Sequence, residues 1–230
     1  MTKVFLSGIS AGLGEALCEE LLKSYEVYAI SRSEPRLVHK SLHFLQCDLS
    51  RLEELPLVLA DLLQGVGNVE CAILNAGAVD NIKTMHDTSI KDLLSILSVN
   101  TLSNKVILDF FISQNIALTQ VVAISSGASI NGHKGWGSYS LSKSALNMLV
   151  QLYAQEMTDT HLCALAPGVI HTKLVQQIFR QADTSEFPSV ESLRNAPAFG
   201  VQTAALHILN HLQDLRKHPS GAYLDIRNII

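Results

Sequence analysis

The sequence predicts an α/β fold, a doubly wound parallel sheet of about seven strands with helices on both faces. Two observations carry that expectation. Short β-rich runs alternate with longer stretches of helical periodicity along the chain, the pattern of repeated βαβ units. Several strand runs, such as 69–74 and 121–124, are apolar at nearly every position, as strands are when helices cover both sides of a sheet. No internal repeat or low-complexity linker divides the 230 residues, so 1–230 is expected to form a single domain with a well-buried core.

Strands are expected at about 3–7, 26–31, 42–47, 69–75, 118–125, 160–166 and 222–226. Each is short and rich in β-branched, aromatic or aliphatic residues. Between them, helices are expected near 12–24, 52–64, 89–113, 138–157, 172–182 and 199–213, where apolar residues recur at helical spacing. The stretch 181–198 carries Pro188, Pro197 and many polar residues; it reads as a mobile loop and a candidate substrate loop.

Composition narrows the class. Hydrophobic residues make up 47% and charged residues 17% of the chain, which argues against a disordered protein. A net charge of −4 with only 17 Lys and Arg leaves no basic footprint for nucleic acid. Cys18, Cys47, Cys71 and Cys163 are scattered in or beside apolar runs without a C-x-x-C pair, as expected of buried thiols in a reducing cytoplasm. The chain runs directly into a strand, so no signal peptide is expected. No apolar run approaches the ~18 residues of a membrane span.

After the first strand comes Gly8-Ile9-Ser10-Ala11-Gly12-Leu13-Gly14, then an amphipathic helix. Glycines permit the tight turn and let the backbone approach a pyrophosphate at the positive helix N-terminus. At the end of the second strand an acidic residue would bind the ribose hydroxyl of NAD, and an arginine would accommodate the extra phosphate of NADP. The chain has Arg32 there, whose planar fork suits phosphate, so NADP(H) is the expected cofactor. Glu34 keeps NAD as the alternative.

Tyr139 and Lys143 stand four residues apart at the start of an apolar helical run, thirteen residues after Ser126. Positions i and i+4 share a helical face. Bringing a tyrosine from its usual ~10 to about 7 costs roughly 4 kcal/mol. One cation ~4 Å away supplies about that much at an effective dielectric near 20. The spacing therefore predicts a tyrosine acidified by its lysine and usable as an acid or base.

Taken together, these motifs resemble the short-chain dehydrogenase/reductase family, through nearly the whole chain and in order. Gly8, Gly12 and Gly14 fit its glycine turn, Asp48-Leu49 its adenine-contacting position, and Asn75-Ala76-Gly77 its N-A-G signature. Asn100 falls at its catalytic asparagine, Ser126, Tyr139 and Lys143 at its Ser and Y-x-x-x-K set, and 167–172 at its P-G-x-x-x-T segment. The resemblance implies a Rossmann fold. It also implies a dinucleotide held by Gly8, Ser10, Gly12, Leu13, Gly14, Arg32, Asp48, Leu49, Asn75, Ala76, Gly77, Tyr139, Lys143, Pro167, Gly168, Ile170 and Thr172. Tyr139 would protonate a substrate carbonyl, Lys143 would lower the tyrosine pKa and bind the nicotinamide ribose, Ser126 would orient the carbonyl, and Asn100 would hold a relay water.

Within that family, Ser125 to Tyr139 and Ser220 to Asp225 look like the benzil reductase and sepiapterin reductase branch. That likeness makes Asp225 a candidate pterin anchor, or else a residue closing the last strand. Trp136 is a candidate wall for an aromatic substrate, or else packs on the 181–198 region. The expected activity is NADPH-dependent reduction of an aromatic ketone, diketone or pterin-like carbonyl. The alternatives are an NAD-dependent alcohol dehydrogenase and a non-catalytic dinucleotide sensor. His207 and His211 share a helical face but have no evident third ligand, so no metal is expected. The helix after Tyr139 is apolar on more than one face, which points to a homodimer.

Overall fold

The sheet grows outward from β1 (Lys3–Ser7), whose side chains alternate between two cores. Phe5 points to one face of the sheet, and Val4 and Leu6 to the other. That alternation is the period-2 geometry of a strand buried on both sides. The structure, a computed structural model, describes the backbone of residues 1–230 and all side chains except those of residues 173, 174, 177 and 181.

On one side of β1 lie β2 (Glu26–Ser31) and β3 (Leu42–Gln46); on the other lie β4 (Asn68–Leu74), β5 (Ala117–Ile124), β6 (His161–Ala166) and β9 (Ala222–Asp225). All seven pair in parallel in the order β3-β2-β1-β4-β5-β6-β9. Chain direction reverses its progress across the sheet between β3 and β4, so a crevice opens beyond the C-terminal ends of β1 and β4.

Helices cover both faces. On the Phe5 face sit α2 (Leu55–Leu62), the long helical stretch Ile90–Ser113 and α5 (Gly137–Glu156). On the Leu6 face sit α1 (Gly12–Leu21), α8 (Val201–Asn210) and α9 (Leu212–Leu215). Phe5 meets Phe111 edge-on, with ring centroids 5.5 Å apart at 82°, the arrangement that aromatic quadrupoles favour.

The stretch 90–113 departs from the single regular helix the periodicity predicts. It consists of α3 (Ile90–Leu97), a π-helical turn (Ser98–Leu102) and α4 (Ser103–Ser113). The extra residue of the π turn brings two adjacent polar side chains inward together. Asn100 donates to the Ser142 hydroxyl at 2.9 Å, and Thr101 to the Ser142 carbonyl at 2.8 Å. By length and mean hydropathy alone this stretch is also long and apolar enough to cross a membrane, although polar residues such as Lys91, Asp92, Asn104, Lys105 and Asp109 break its apolar run. Here it is a core helix, with Ile107, Leu108 and Phe111 fully buried against the sheet.

Past β6, the short strand β7 (Val169–Ile170) pairs with β8 (Ala198–Phe199) and brackets α6 (Lys173–Gln181) and α7 (Pro188–Asn195). Half of the stretch expected as a loop over 181–198 is therefore helical, chiefly in α7. Pro188 opens α7 at the position where a missing N–H costs nothing. Val190 and Leu193, three residues apart, anchor it to Trp136, Ile178 and Phe187.

Candidate active site

The glycine turn between β1 and α1 is built by close backbone approach. Gly8 has φ +79°, and a Cβ there would lie 2.8 Å from the Ala76 Cα. At Gly14 a Cβ would sit 1.8 Å from the Gly8 carbonyl oxygen, so no larger residue fits without moving the turn. Asn75 steadies it from the end of β4, donating Nδ2–H to the Gly8 carbonyl at 2.9 Å. The Ala76 N–H donates to the Ser7 hydroxyl at 3.1 Å. Ala11, the residue preceding α1, makes no side-chain cap. The N–H groups of that helix end are thus left for an anion.

This turn borders a cavity of about 350 Å³ lined along its length by Ser10, Gly12, Leu13, Arg32, Asp48 and Leu49, and closed by Asn75, Ala76, Gly77 and Thr172. Ser31 and Ser33 join Arg32 at one end, whereas Glu34 is exposed and outside the lining. Asp48 accepts from the Ser50 N–H and hydroxyl at 3.0 and 2.8 Å, both on Oδ1. Those bonds first, and nearby Arg32 further, hold its carboxyl below the usual range. The cradle that side chains would fill, the uncapped helix end, and the arginine with its flanking hydroxyls fit a dinucleotide. Thr172 meets the glycine turn directly: a Cβ on Gly12 would touch its methyl group at 3.5 Å.

A second cavity of about 580 Å³ adjoins the end of β5. Ser126 and Tyr139 line it together, with Trp136, Gly168, Ile170 and Val175 among its walls. Pro167 lines neither cavity, while Gly168, at φ +76°, packs against Phe199. Trp136 does two things at once. Its ring stands 6.2 Å from the Tyr139 ring, and its Nε1–H donates to the Ser189 hydroxyl at 2.9 Å at the start of α7.

Lys143 is buried beneath Tyr139, with Nζ 5.9 Å from the tyrosine ring centroid and donating to the Ile124 carbonyl at 2.7 Å. A Cβ on Gly77 would lie 3.6 Å from this ammonium and 3.6 Å from the Asn100 Oδ1. Lysine and asparagine thus converge on the floor between the two cavities. The Asn100 side chain is already engaged. Oδ1 accepts from the Ala78 N–H at 2.7 Å, and Nδ2 donates to the Ala78 carbonyl and the Ser142 hydroxyl at 2.9 Å each. Its evident work is to fix the 75–78 segment against α5.

The electrostatics reverse the expectation drawn from spacing. Burial pushes the Tyr139 phenol above its ordinary value, and the adjacent Ser126 hydroxyl only partly offsets this. Burial also lowers the Lys143 ammonium to about 8. Spacing places the pair correctly, but an i, i+4 pattern carries no information about desolvation, and desolvation dominates here.

Asp225 stands outside the lining of the larger cavity. It ends β9, and its carboxylate is held by Arg227: Oδ1 accepts from Nε at 2.9 Å and from the Arg227 N–H at 3.0 Å, and Oδ2 accepts from Nη2 at 2.5 Å. Arg227 is the residue that lines the cavity, and nothing in the sequence pattern singled it out. Also missed was a buried chain behind Ser126. Ser125 donates to the Asn147 Oδ1 at 2.6 Å, and the Asn147 Nδ2 donates to the Ser129 hydroxyl at 2.8 Å. The polar Asn147 inside an apolar helical face was its one sequence signal. His207 packs on Phe199 at 5.0 Å, and His211 bonds to the His207 carbonyl. Among the described residues no three His, Cys, Asp or Glu side chains group as metal ligands.

Comparison with known proteins matches this arrangement to one family. The profile described as short chain dehydrogenase matches residues 2–183. Benzil reductase ((S)-benzoin forming) of Bacillus subtilis is 32% identical over 207 residues, covering 84% of each chain. The NADPH-dependent pterin aldehyde reductase of Arabidopsis thaliana is 29% identical over 224 residues, 90% of this chain and 87% of its own. Sepiapterin reductase of Bos taurus is 30% identical, over 78% of this chain and 65% of its own. A solved short chain dehydrogenase/reductase from Saccharomyces cerevisiae superposes with a TM-score of 0.87 at 20% identity, over 98% of this chain and 96% of its own.

Proposed function

The chain belongs to the short chain dehydrogenase family, and from that premise we propose that it is an NADPH-dependent carbonyl reductase acting on an aromatic ketone, diketone or pterin-like carbonyl. As a member it is an oxidoreductase whose fold binds a nicotinamide dinucleotide. The finer reading rests above all on Ser126 and Tyr139 facing one cavity while Lys143 lies beneath them, beside Gly77 on the dinucleotide cavity.

When bound, the reduced nicotinamide supplies a hydride, which carries both electrons to the carbonyl carbon. The remaining work falls to side chains. Ser126 donates a hydrogen bond to the carbonyl oxygen and fixes it beside the phenol. Tyr139 gives its proton to that oxygen, completing the alcohol. Lys143 offsets the charge left on the tyrosine oxygen and returns a proton to it.

A phenol raised by burial is protonated at neutral pH, as a proton donor must be. Arg32, with Ser31 and Ser33, supports NADP(H), and the Arabidopsis relative is named for NADPH. Relatives named for benzil and pterins support the substrate class.

We further propose a cytoplasmic homodimer. Cys18, Cys47, Cys71 and Cys163 are free and buried, which supports a reducing compartment. Leu141, Met148 and Leu152 leave an apolar stripe along the outer face of α5, which supports pairing.

NADPH consumption with a carbonyl panel that includes benzil and sepiapterin tests the reading. Turnover is expected with NADPH, and Tyr139→Phe should reduce it by about 10²–10⁴-fold. Inertness toward the whole panel, or an undiminished Tyr139→Phe, would reject it.

A further inference from the structure

Among the described residues, Arg227 is the only Lys, Arg, Asp or Glu lining the larger cavity. Its guanidinium is held in place by Asp225, which accepts from Nε at 2.9 Å and from Nη2 at 2.5 Å. Asp225 is itself anchored at the end of β9, where it caps the following turn through the Arg227 N–H. A guanidinium has five N–H donors. Asp225 takes two of them, leaving both on Nη1 and one on Nη2. The arginine therefore presents donors in a fixed plane at the rim of the site, with little rotamer freedom left to lose on binding.

We propose that Arg227, braced by Asp225, is a specificity-determining residue that donates to a second, uncharged oxygen on the substrate, such as the distal oxygen of a diketone. The proposal rests on the reductase reading above and narrows its substrate class. The reacting carbonyl lies against Ser126 and Tyr139, and the far oxygen reaches Arg227 across the same cavity. Val175, Ile178, Leu193 and Trp136 supply apolar walls for the groups on either side.

Charge decides which acceptor is favoured. The Arg227 cation and Asp225 anion form a neutral pair at the cavity wall, so a substrate carboxylate meets no net positive field there. An uncharged carbonyl oxygen needs only the fixed N–H donors. A pterin edge presents N–H groups that require an acceptor, and both Asp225 oxygens are already taken by Arg227. The same pair therefore selects a diketone over a keto acid and over a pterin.

The test compares benzil with deoxybenzoin, which lacks the second oxygen, and with phenylglyoxylate, which replaces it by a carboxylate. Binding to the protein saturated with NADP⁺ is read by calorimetry, and turnover is followed separately by NADPH consumption. The wild-type protein should bind benzil roughly tenfold or more tighter than deoxybenzoin, and Arg227→Met should bring that ratio to about one. Asp225→Asn, which removes the counter-charge but keeps an oxygen acceptor for the arginine, should raise the affinity for phenylglyoxylate. A benzil preference that survives Arg227→Met, or equal binding of benzil and deoxybenzoin by the wild type, would overturn the assignment. Selective binding of benzil without turnover would reject the reductase reading alone. Turnover without an Arg227-dependent preference would reject the specificity role alone.

Discussion

The Lys143 ammonium donates to the Ile124 carbonyl at 2.7 Å, tying α5 to the last residue of β5. Ser125 and Ser126 follow immediately in the chain. The strand end that presents Ser126 therefore also holds the lysine, and the bond couples the two elements. Burial brings the ammonium down to about 8.

That burial predicts how stability responds to pH. The folded protein releases the Lys143 proton near 8, the unfolded chain near 10.5. Between those values the unfolded chain binds more protons, so stability rises with pH across the window. The penalty is full below about 8 and gone above 10.5. Lys143→Met lacks the titration and shares every other group. The wild type should therefore gain on it by up to about 3 kcal/mol between about pH 7 and about pH 10.5, at about 1.4 kcal/mol per pH unit. Urea unfolding of both proteins across that range measures the gap, and a gap independent of pH would refute a buried, titrating lysine.

Arg32 sits with Ser31 and Ser33 at one end of the smaller cavity, and its backbone carbonyl accepts from the Gln46 amide at 2.8 Å. Arg32→Ala removes the guanidinium but keeps this backbone anchor. Losing a charge-assisted hydrogen bond of about 1.5–3 kcal/mol should raise the KM for NADPH by roughly 10–100-fold while the KM for NADH changes little. Steady-state kinetics with both cofactors would decide it; parallel losses would show that Arg32 only shapes the turn.

Which of these features could be read in the sequence follows physical lines. The seven strands and the Tyr139–Lys143 spacing were legible because each depends on periodicity within one element. Gly8, Gly12 and Gly14 were legible because close backbone approach at Gly8 and Gly14 and a positive φ at Gly8 and Gly12 call for glycine at those positions. The sign of the Tyr139 and Lys143 shifts was not, since burial is set by distant segments packing overhead. The π turn escaped because Asn100 and Thr101, read locally, fit a regular helix. Arg227 escaped because its place on the cavity wall is set by tertiary packing, while its local pattern, Asp225 two residues before, reads as a surface ion pair. The helix over 188–195 was nearer to hand: Pro188 at its first position and the Val190–Leu193 interval are helical signals that the surrounding polarity masked.

Gly14 offers the sharpest steric prediction. A methyl group there would lie 1.8 Å from the Gly8 carbonyl oxygen and 2.5 Å from the Asn75 Nδ2. The turn must open, and it must release the Asn75 bonds that hold it. Gly14→Ala should therefore lose about 1–3 kcal/mol of stability, the usual cost of overpacking, together with most dinucleotide affinity. Gly67→Ala, where a Cβ meets nothing within 4 Å, is the control and should lose neither. Thermal melts with and without NADPH separate the two losses. A Gly14→Ala protein with unaltered ligand-induced stabilisation would exclude this turn from the cofactor site.

The outer face of α5 carries the last prediction. Leu141, Met148 and Leu152 recur at helical intervals and are 47%, 53% and 54% exposed, so they line one stripe of the helix. Leu102 at the π turn and Ile112 on α4 are likewise partly exposed. Complete burial of such a side chain is worth roughly 1.5–3 kcal/mol, and these are about half exposed, so each still has about half of that to gain, an incentive that a second copy of the same stripe would satisfy. A two-fold axis across α5 would place Met148 and Leu152 of both copies in one self-complementary contact, so one acidic substitution there brings two like charges into it. Leu152→Glu should then convert a dimer to a 25.1 kDa monomer in sedimentation at micromolar concentration. Because residue 152 points away from the sheet, the variant should keep the wild-type thermal transition at low protein concentration. A wild type that sediments as a monomer would reject the dimer, and a dimer that survives Leu152→Glu would move the contact off this face.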